Sequence, residues 1–345
     1  MTLFLILLIL LNLLIFLNFQ KFTKFTNIYD IPDNKLKLHK KKVPVTGGII
    51  LAINFTVLFL FQIFFTNDFL SLKINQFNHK EILSTLFFIY VYFFLGLYDD
   101  KFQLSPNKKL LYSIAIILFV IFFNEKIIVE YISLSFYEKK IFFENYSNYF
   151  ILFCIILLIN ALNFYDGING QSSIIFLISF FYLFIKSDMN YFYSMTIFFI
   201  LFFFQFNVRN KLFLGDSGIY LLGVILSICL VYEHNIQKNI IFVDEIFFLL
   251  LLPGIDLLRL TITRILKKQN PFFGDRNHIH HLLIEKFSLF EANLILFFIA
   301  ILPLFLFSFM KFNFFIVLFI ITNIYMFLII KLKSNDKNNY FWKKK

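Results

Sequence analysis

Two adjacent aspartates, Asp99 and Asp100, close an apolar run in GLYDDKFQLSPNKKL, residues 96–110. Like charges side by side at a membrane edge repel unless a cation or bound partner compensates, although Lys101 alone could serve a solvated helix end. Lys108 and Lys109 follow and can bind phosphate or snorkel. In NALNFYDGINGQSS, residues 160–173, Asn160, Asn163 and Asp166 recur every third residue and share a helix face. Gly167 and Gly170 then permit tight turning and close approach to a ligand. NVRNKLFLGDSGIYLLG, residues 207–223, places Asp216 at a helix mouth, as an N-cap or as a metal carboxylate near an anion-binding terminus. PFFGDRNHIHHLL, residues 271–283, gathers His278, His280 and His281, three of the six histidines, beside Asp275 and Arg276. Zinc there would lack a further ligand, and the other reading is imidazole and guanidinium donors meeting phosphate.

DIPDNKLKLHKKKVPVTGGII, residues 30–50, carries Lys37, His39, Lys40 to Lys42, Thr46, Gly47 and Gly48. A basic run beside a membrane attracts anionic headgroups, and the Thr-Gly-Gly helix entry offers backbone N–H groups to phosphate. Asp256 and Arg259, three apart, read as an intramembrane ion pair. Carboxylates, glycine-rich backbone, cations and histidines together suit a metal-assisted phosphoryl-type transfer. A transporter would place such groups nearer the midplane.

These loops need elements to hold them at one face. The chain has 345 residues, 60% hydrophobic and 15% charged, with 56 Phe and a mean hydropathy of +0.79. A soluble domain is roughly 45–50% apolar, so the composition excludes a soluble enzyme, a disulfide scaffold and a disordered chain. Apolar runs fall near 3–19, 48–66, 82–98, 110–123, 149–163, 172–186, 191–206, 217–232, 240–263, 291–309 and 312–331. They predict an all-α polytopic integral membrane protein of about 10–11 spans. The first run has no preceding Lys or Arg and no small-residue cleavage site, and reads as a retained span. Lys and Arg divide 23 to 8 between alternate sides. The richer side holds every motif above and is expected in the cytoplasm, with the N-terminus outside. That asymmetry accounts for the net charge of +11 without nucleic acid. On the other side, residues 132–144 alternate enough for a small hairpin. Cys154 and Cys229 both lie in apolar runs and form no disulfide or metal framework. The reading is one membrane-embedded domain, motif-bearing over about 30–283, with further spans and a basic tail over 291–345.

From about Asp30 to Leu283 the ordered motifs resemble the polyprenyl-phosphate N-acetylhexosamine-1-phosphate transferases, the MraY-like and WecA-like enzymes of glycosyltransferase family 4. The resemblance implies a bacterial plasma-membrane helical bundle with a cytoplasmic-face cleft, Mg²⁺ with Mn²⁺ as a substitute, a UDP-amino sugar donor and a polyprenyl phosphate acceptor. It implies release of UMP and a lipid-diphosphate-sugar that starts a surface polysaccharide, with homodimers compatible. Asp99 would act on the lipid phosphate as base or positioning group, with Asp100 supporting. Asp216 would be the metal aspartate of the GD-x-G motif, with Asn163 beside it. Asn160, Asn163 and Asp166 would shape the metal and nucleotide site, with Gly167 adjoining. His278, His280 and His281, with Asp275 and Arg276, would hold the pyrophosphate or sugar phosphate. Asp166, His280 and His281 are placed with the Asp pair among the catalytic groups. Lys108 or Lys109, Lys211, His39 and Thr46 would contact substrate.

The sequence departs from the family at Asn169, where a second Asp is usual, and at Gln171, where Leu is. Asn207 lies one residue closer to Asp216 than the family's spacing, which bears on its role at uracil. The HIHH form leans to the N-acetylglucosamine branch rather than the muramyl-pentapeptide branch. A non-catalytic transporter or lipid-binding protein is the reading from another class. Direct attack by the lipid phosphate on the donor's β-phosphorus is favoured over an aspartyl-phosphate route.

Overall fold

The computed structural model describes residues 2–32, 42–66, 68–70, 72–73, 76–187, 190–235, 241–269 and 277–342. Each apolar run falls on helix: α1 (Thr2–Leu17), α2 (Phe19–Thr26), α3 (Gly47–Phe65), α4 (His79–Phe102), α5 (Pro106–Phe123), α6 (Ser147–Tyr165) and α7 (Gln171–Lys186). They continue as α8 (Tyr191–Asn207), α9 (Gly215–Asn235), α10 (Val243–Leu249), α11 (Leu251–Leu266), α12 (Ile279–Ile284), α13 (Leu289–Leu304) and α14 (Phe314–Trp342). Local signals set several ends. Asn78 and Glu81 form a reciprocal capping box at α4, Pro106 opens α5, and Ser288 with Glu291 caps α13.

Among the described residues seven helices are long and apolar enough to cross a bilayer, or nine if each of two bent pairs is one span. The bent pairs are α1 with α2, at 76°, and α10 with α11, at 70°. The remaining two apolar runs form the shorter α7 and α8, of 16 and 17 residues. The run expected over 240–263 therefore divides at Leu250. Pro253 explains the break, because it has no N–H to donate to Leu249 and its ring crowds that carbonyl. The short amphipathic α2, FQKFTKFT, turns away from α1 as an interfacial helix would.

Helix α9 is the hub. Its apolar stretch is 89% buried against 22–50% for the other six full-length candidates. It packs on α3, α4, α6 and α7. A helix apolar on every side belongs in the interior. Between α1 and α3 the buried amides of Asn12 and Asn54 exchange hydrogen bonds of 2.7 and 3.1 Å. In an apolar surround that reciprocal pair fixes the two helices in register.

The hairpin expected within 124–148 is present as β5 (Tyr131–Leu134) and β6 (Tyr137–Phe142), antiparallel with Tyr131 opposite Phe142. Ser135 anchors it, donating to the Asp244 carboxylate from its backbone N–H at 2.9 Å and its hydroxyl at 2.6 Å. Before α3, β1 (Tyr29–Asp30) pairs with β2 (Val43–Pro44). Between α3 and α4 lies the short pair β3 (Asp68–Phe69) and β4 (Leu72–Lys73).

Candidate active site

The end of α4 meets the start of α9. The Asp100 carboxylate accepts from the backbone N–H of Asp216 at 2.7 Å and of Ser217 at 3.1 Å. It thus caps the buried helix, satisfying donors that the helix leaves open. Gly215, at φ +74°, is turned tightly enough that a Cβ would lie 2.6 Å from an Asp100 carboxylate oxygen. Glycine alone suits that backbone. Asp99, one residue earlier, is buried and accepts from the Leu104 N–H at 2.7 Å. The Lys109 ammonium, from the first turn of α5, bridges Asp99 and Asp216, lying 2.9 Å from the latter. Of the two lysines proposed for phosphate, Lys109 is therefore held between two carboxylates, and Lys108 is exposed.

The Gly47 and Gly48 N–H groups donate to the carbonyls of Phe213 and Leu214, both at 3.0 Å. They stitch the entry of α3 to the loop before Asp216 and are not free for a phosphate, as the Thr-Gly-Gly entry had suggested. Thr46 is fully buried, with no hydrogen bond to its hydroxyl among the described residues. It reaches no open surface from which to touch a substrate.

A second group lies where α6 gives way to α7. The stripe runs as expected up to the helix end: Asn160 bonds back to the Ile156 carbonyl at 2.8 Å, and Asp166 caps α6. Asn163 is half-buried and makes no side-chain hydrogen bond to Asp216. Asp166 is exposed and accepts from the Ser172 hydroxyl at 2.5 Å. The Gln171 carbonyl oxygen accepts from the N–H of Gly167 and of Ile168, each at 3.3 Å. That orients its amide nitrogen to His280 Nδ1 at 3.2 Å. His280 then carries its proton on Nε2, which lies against Gly167, where a Cβ would come within 1.8 Å. Burial, reinforced by the neighbouring His281 and His278, pushes the His280 imidazole well below the ordinary histidine range. His280 is a neutral ring near neutral pH. His281 adjoins it with ring centres 4.3 Å apart.

His278 is held from the other side. Its Nδ1 meets the Asp256 carboxylate at 2.8 Å. Asp256 also accepts from Arg259 at 2.7 Å, Tyr325 at 2.6 Å and the Ile279 N–H at 3.3 Å. Arg259 donates in addition to Tyr325 at 2.8 Å and to the Asn277 carbonyl at 2.7 Å. The expected Asp256–Arg259 pair thus exists and does more than neutralise itself, because it clamps the start of the His loop. Tyr325→Phe is expected to lower unfolding stability by about 1.5–3 kcal/mol, since it removes a hydrogen bond to a charged group. Thermal unfolding of the purified protein checks this.

The 207–214 loop joins the groups. Gly170 donates to the Asn207 side-chain oxygen at 2.6 Å, and Asn207 donates to the Leu212 carbonyl at 2.9 Å. Buried and using both ends of its amide, Asn207 pins two loops together. Asn169 donates to the Asn210 side chain at 2.5 Å, and its carbonyl accepts from Asn293 at 2.8 Å. Lys211 is exposed. His39, Asp275 and Arg276 lie outside the described residues. Tyr325 and Asn293 were not anticipated, because a lone Tyr or Asn in an apolar run carries no spacing that names its partner. Gln171 was noticed only as a departure, yet it couples the glycine loop to His280.

Among the described residues no three His, Cys, Asp or Glu side chains are grouped to cage a metal ion. What converges instead is a carboxylate pair, Asp99 and Asp216, on one cation.

Comparison with known proteins matches residues 82–234, α4 through most of α9, to the sequence model described as Glycosyl transferase family 4. The undecaprenyl-phosphate alpha-N-acetylglucosaminyl 1-phosphate transferase of Thermotoga maritima is 27% identical over 77% of this chain and 76% of its own length. The protein of the same name from Escherichia coli (strain K12) is 24% identical over 73% and 68%. The matched stretch holds the Asp pair, the Asn stripe and Asp216 on the helices that bring their loops together, and over that stretch the chain is similar to glycosyl transferase family 4.

Proposed function

We propose that the protein transfers N-acetylglucosamine 1-phosphate from the UDP-sugar to undecaprenyl phosphate, releasing UMP. The carrying observation is the convergence of Asp99, Lys109 and Asp216 at the mouth of the buried α9. The names of the relatives favour the N-acetylglucosamine donor over a muramyl peptide. The Lys and Arg asymmetry supports a cytoplasmic site face, where a soluble nucleotide sugar arrives.

An acceptor phosphate is already anionic near neutral pH, so its obstacle is approach to a second anion rather than loss of a proton. An acceptor phosphate oxygen would bond to the donor β-phosphorus as the bond to the α–β bridging oxygen breaks. UMP would leave with that electron pair. Lys109 would supply positive charge beside the reacting phosphates, and Asp99 would position the acceptor. Asp100 would hold the helix mouth in place, and the neutral His280 with His278 would border the phosphate-bearing side.

Two carboxylates, with no third His, Cys, Asp or Glu grouped beside them among the described residues, fit Mg²⁺, which is commonly bound by one or two carboxylates plus substrate phosphates and water. Asp216 and Asp99 would hold it. Bound there, it would neutralise charge on the donor diphosphate.

Purified protein with undecaprenyl phosphate, Mg²⁺ and UDP-N-acetylglucosamine is expected to release UMP with a matching lipid-linked sugar. EDTA is expected to abolish that release. UMP obtained only with another amino sugar would change the donor. No UMP with any UDP-sugar, from protein that unfolds cooperatively, would overturn the proposal.

A further inference from the structure

Between α14 and the link joining α12 to α13 lies an open groove of about 550 Å³, walled by Phe287, Ile324, Phe327, Leu328 and Leu332. Phe287 belongs to the link between α12 and α13, directly after the His loop, so the groove sits at the membrane face that carries the candidate site. Phe327 is 66% exposed within the candidate span Phe314–Ser334, about two turns before its end. An apolar hollow there faces hydrocarbon rather than water.

The groove also has a charged rim. Lys286 and Lys331 both line it, and among the described residues no carboxylate does. The Lys286 ammonium donates to the Leu332 carbonyl, which holds it at the α14 end of the hollow. Lys331 opens the segment KLKSNDKNNYFWKKK, which carries six lysines to one acidic residue. Apolar walls ending in two ammonium groups complement a lipid with an anionic head. None of the lining residues touches Asp99, Lys109 or Asp216, so an acceptor seated here would not present its phosphate to that cluster.

We propose that the groove binds an anionic diacyl phospholipid of the surrounding bilayer, one acyl chain against Phe327 and Leu328, and the phosphate between Lys286 and Lys331. The occupied wall is about a quarter-turn round α14 from Tyr325, the residue that grips Asp256. The lipid would therefore brace the helix that supports the His loop.

The test uses the full chain, with Phe327→Trp in a Trp342→Phe background so that a single tryptophan reports from the groove. Two basic contacts near a membrane surface correspond to an affinity preference of about tenfold or more. Brominated phosphatidylglycerol in reconstituted bilayers is expected to quench this tryptophan at about one-tenth the mole fraction needed with brominated phosphatidylcholine. Adding Lys286→Ala and Lys331→Ala is expected to remove the difference. Equal quenching by the two lipids, or a preference that survives the double substitution, would overturn the proposal. So would displacement by an equimolar amount of polyprenyl phosphate, which would assign the groove to the acceptor. Should the tryptophan variant not fold, native mass spectrometry of the unmodified protein gives the same decision. Retention of phosphatidylglycerol over phosphatidylcholine, lost in the double lysine variant, supports the proposal, and equal retention overturns it.

Discussion

Asp216→Asn is expected to reduce UMP release by about 10²–10³-fold while the protein remains folded, an effect on the scale of removing one electrostatic contact to a reacting group. The substitution keeps the shape and one acceptor oxygen but removes the charge that Lys109 faces. It also halves the carboxylate pair available to a divalent cation. The Asp216 backbone N–H still donates to Asp100, so the capped start of α9 is preserved. Asp100→Asn should behave differently. An amide offers one acceptor oxygen where the carboxylate serves two N–H groups, so stability should fall by about 0.5–2 kcal/mol along with activity. UMP release and thermal unfolding measured on both variants separate the roles. A cold Asp216→Asn protein with unchanged unfolding places Asp216 in the reaction. An active one would remove it from the chemistry.

How far the sequence could be read depended on whether a residue's role is local. Asp99, Asp100, Asn163 and Asp216 stood out because polar groups emerging from hydrocarbon are costly and their spacing is short. The helical runs were legible for the same reason, since backbone in lipid must satisfy itself. The break at Leu250 was missed because residues 249–252 are uniformly apolar, and the effect of Pro253 falls on the turn before it. The Gly47–Gly48 entry left phosphate approach open as one reading, because helix-entry glycines suit both uses. Their actual partners, Phe213 and Leu214, lie far along the chain, where no periodicity points. Tyr325 and Asp256 are 69 residues apart and meet only once α14 folds back on α11. The resemblance covered the motif loops, and it could not supply such closures.

The glycine with the largest expected consequence is Gly96, three residues before Asp99. A Cβ there would stand 2.6 Å from the carbonyl carbon and oxygen of Asp216 and from the Ser217 Cα. These are backbone atoms of the buried hub and cannot swing aside as a side-chain tip would. Gly96→Ala must therefore separate α4 from α9, carrying Asp99 and Asp100 away from Lys109 and Asp216. Overpacking of this kind is expected to cost about 1–3 kcal/mol of stability, and a misplacement near 1 Å is enough to lower UMP release by about 10²-fold. Gly254→Ala in α11 is the matched control, because a Cβ there meets nothing within 4 Å. With alanine the better helix former, that change should be neutral or stabilising by up to about 1 kcal/mol. Loss at Gly96 and tolerance at Gly254 would show that the close approach of α4 and α9, rather than helix flexibility in general, sets the geometry of the Asp cluster. Equal tolerance at both positions would mean that the cluster keeps its arrangement without that contact.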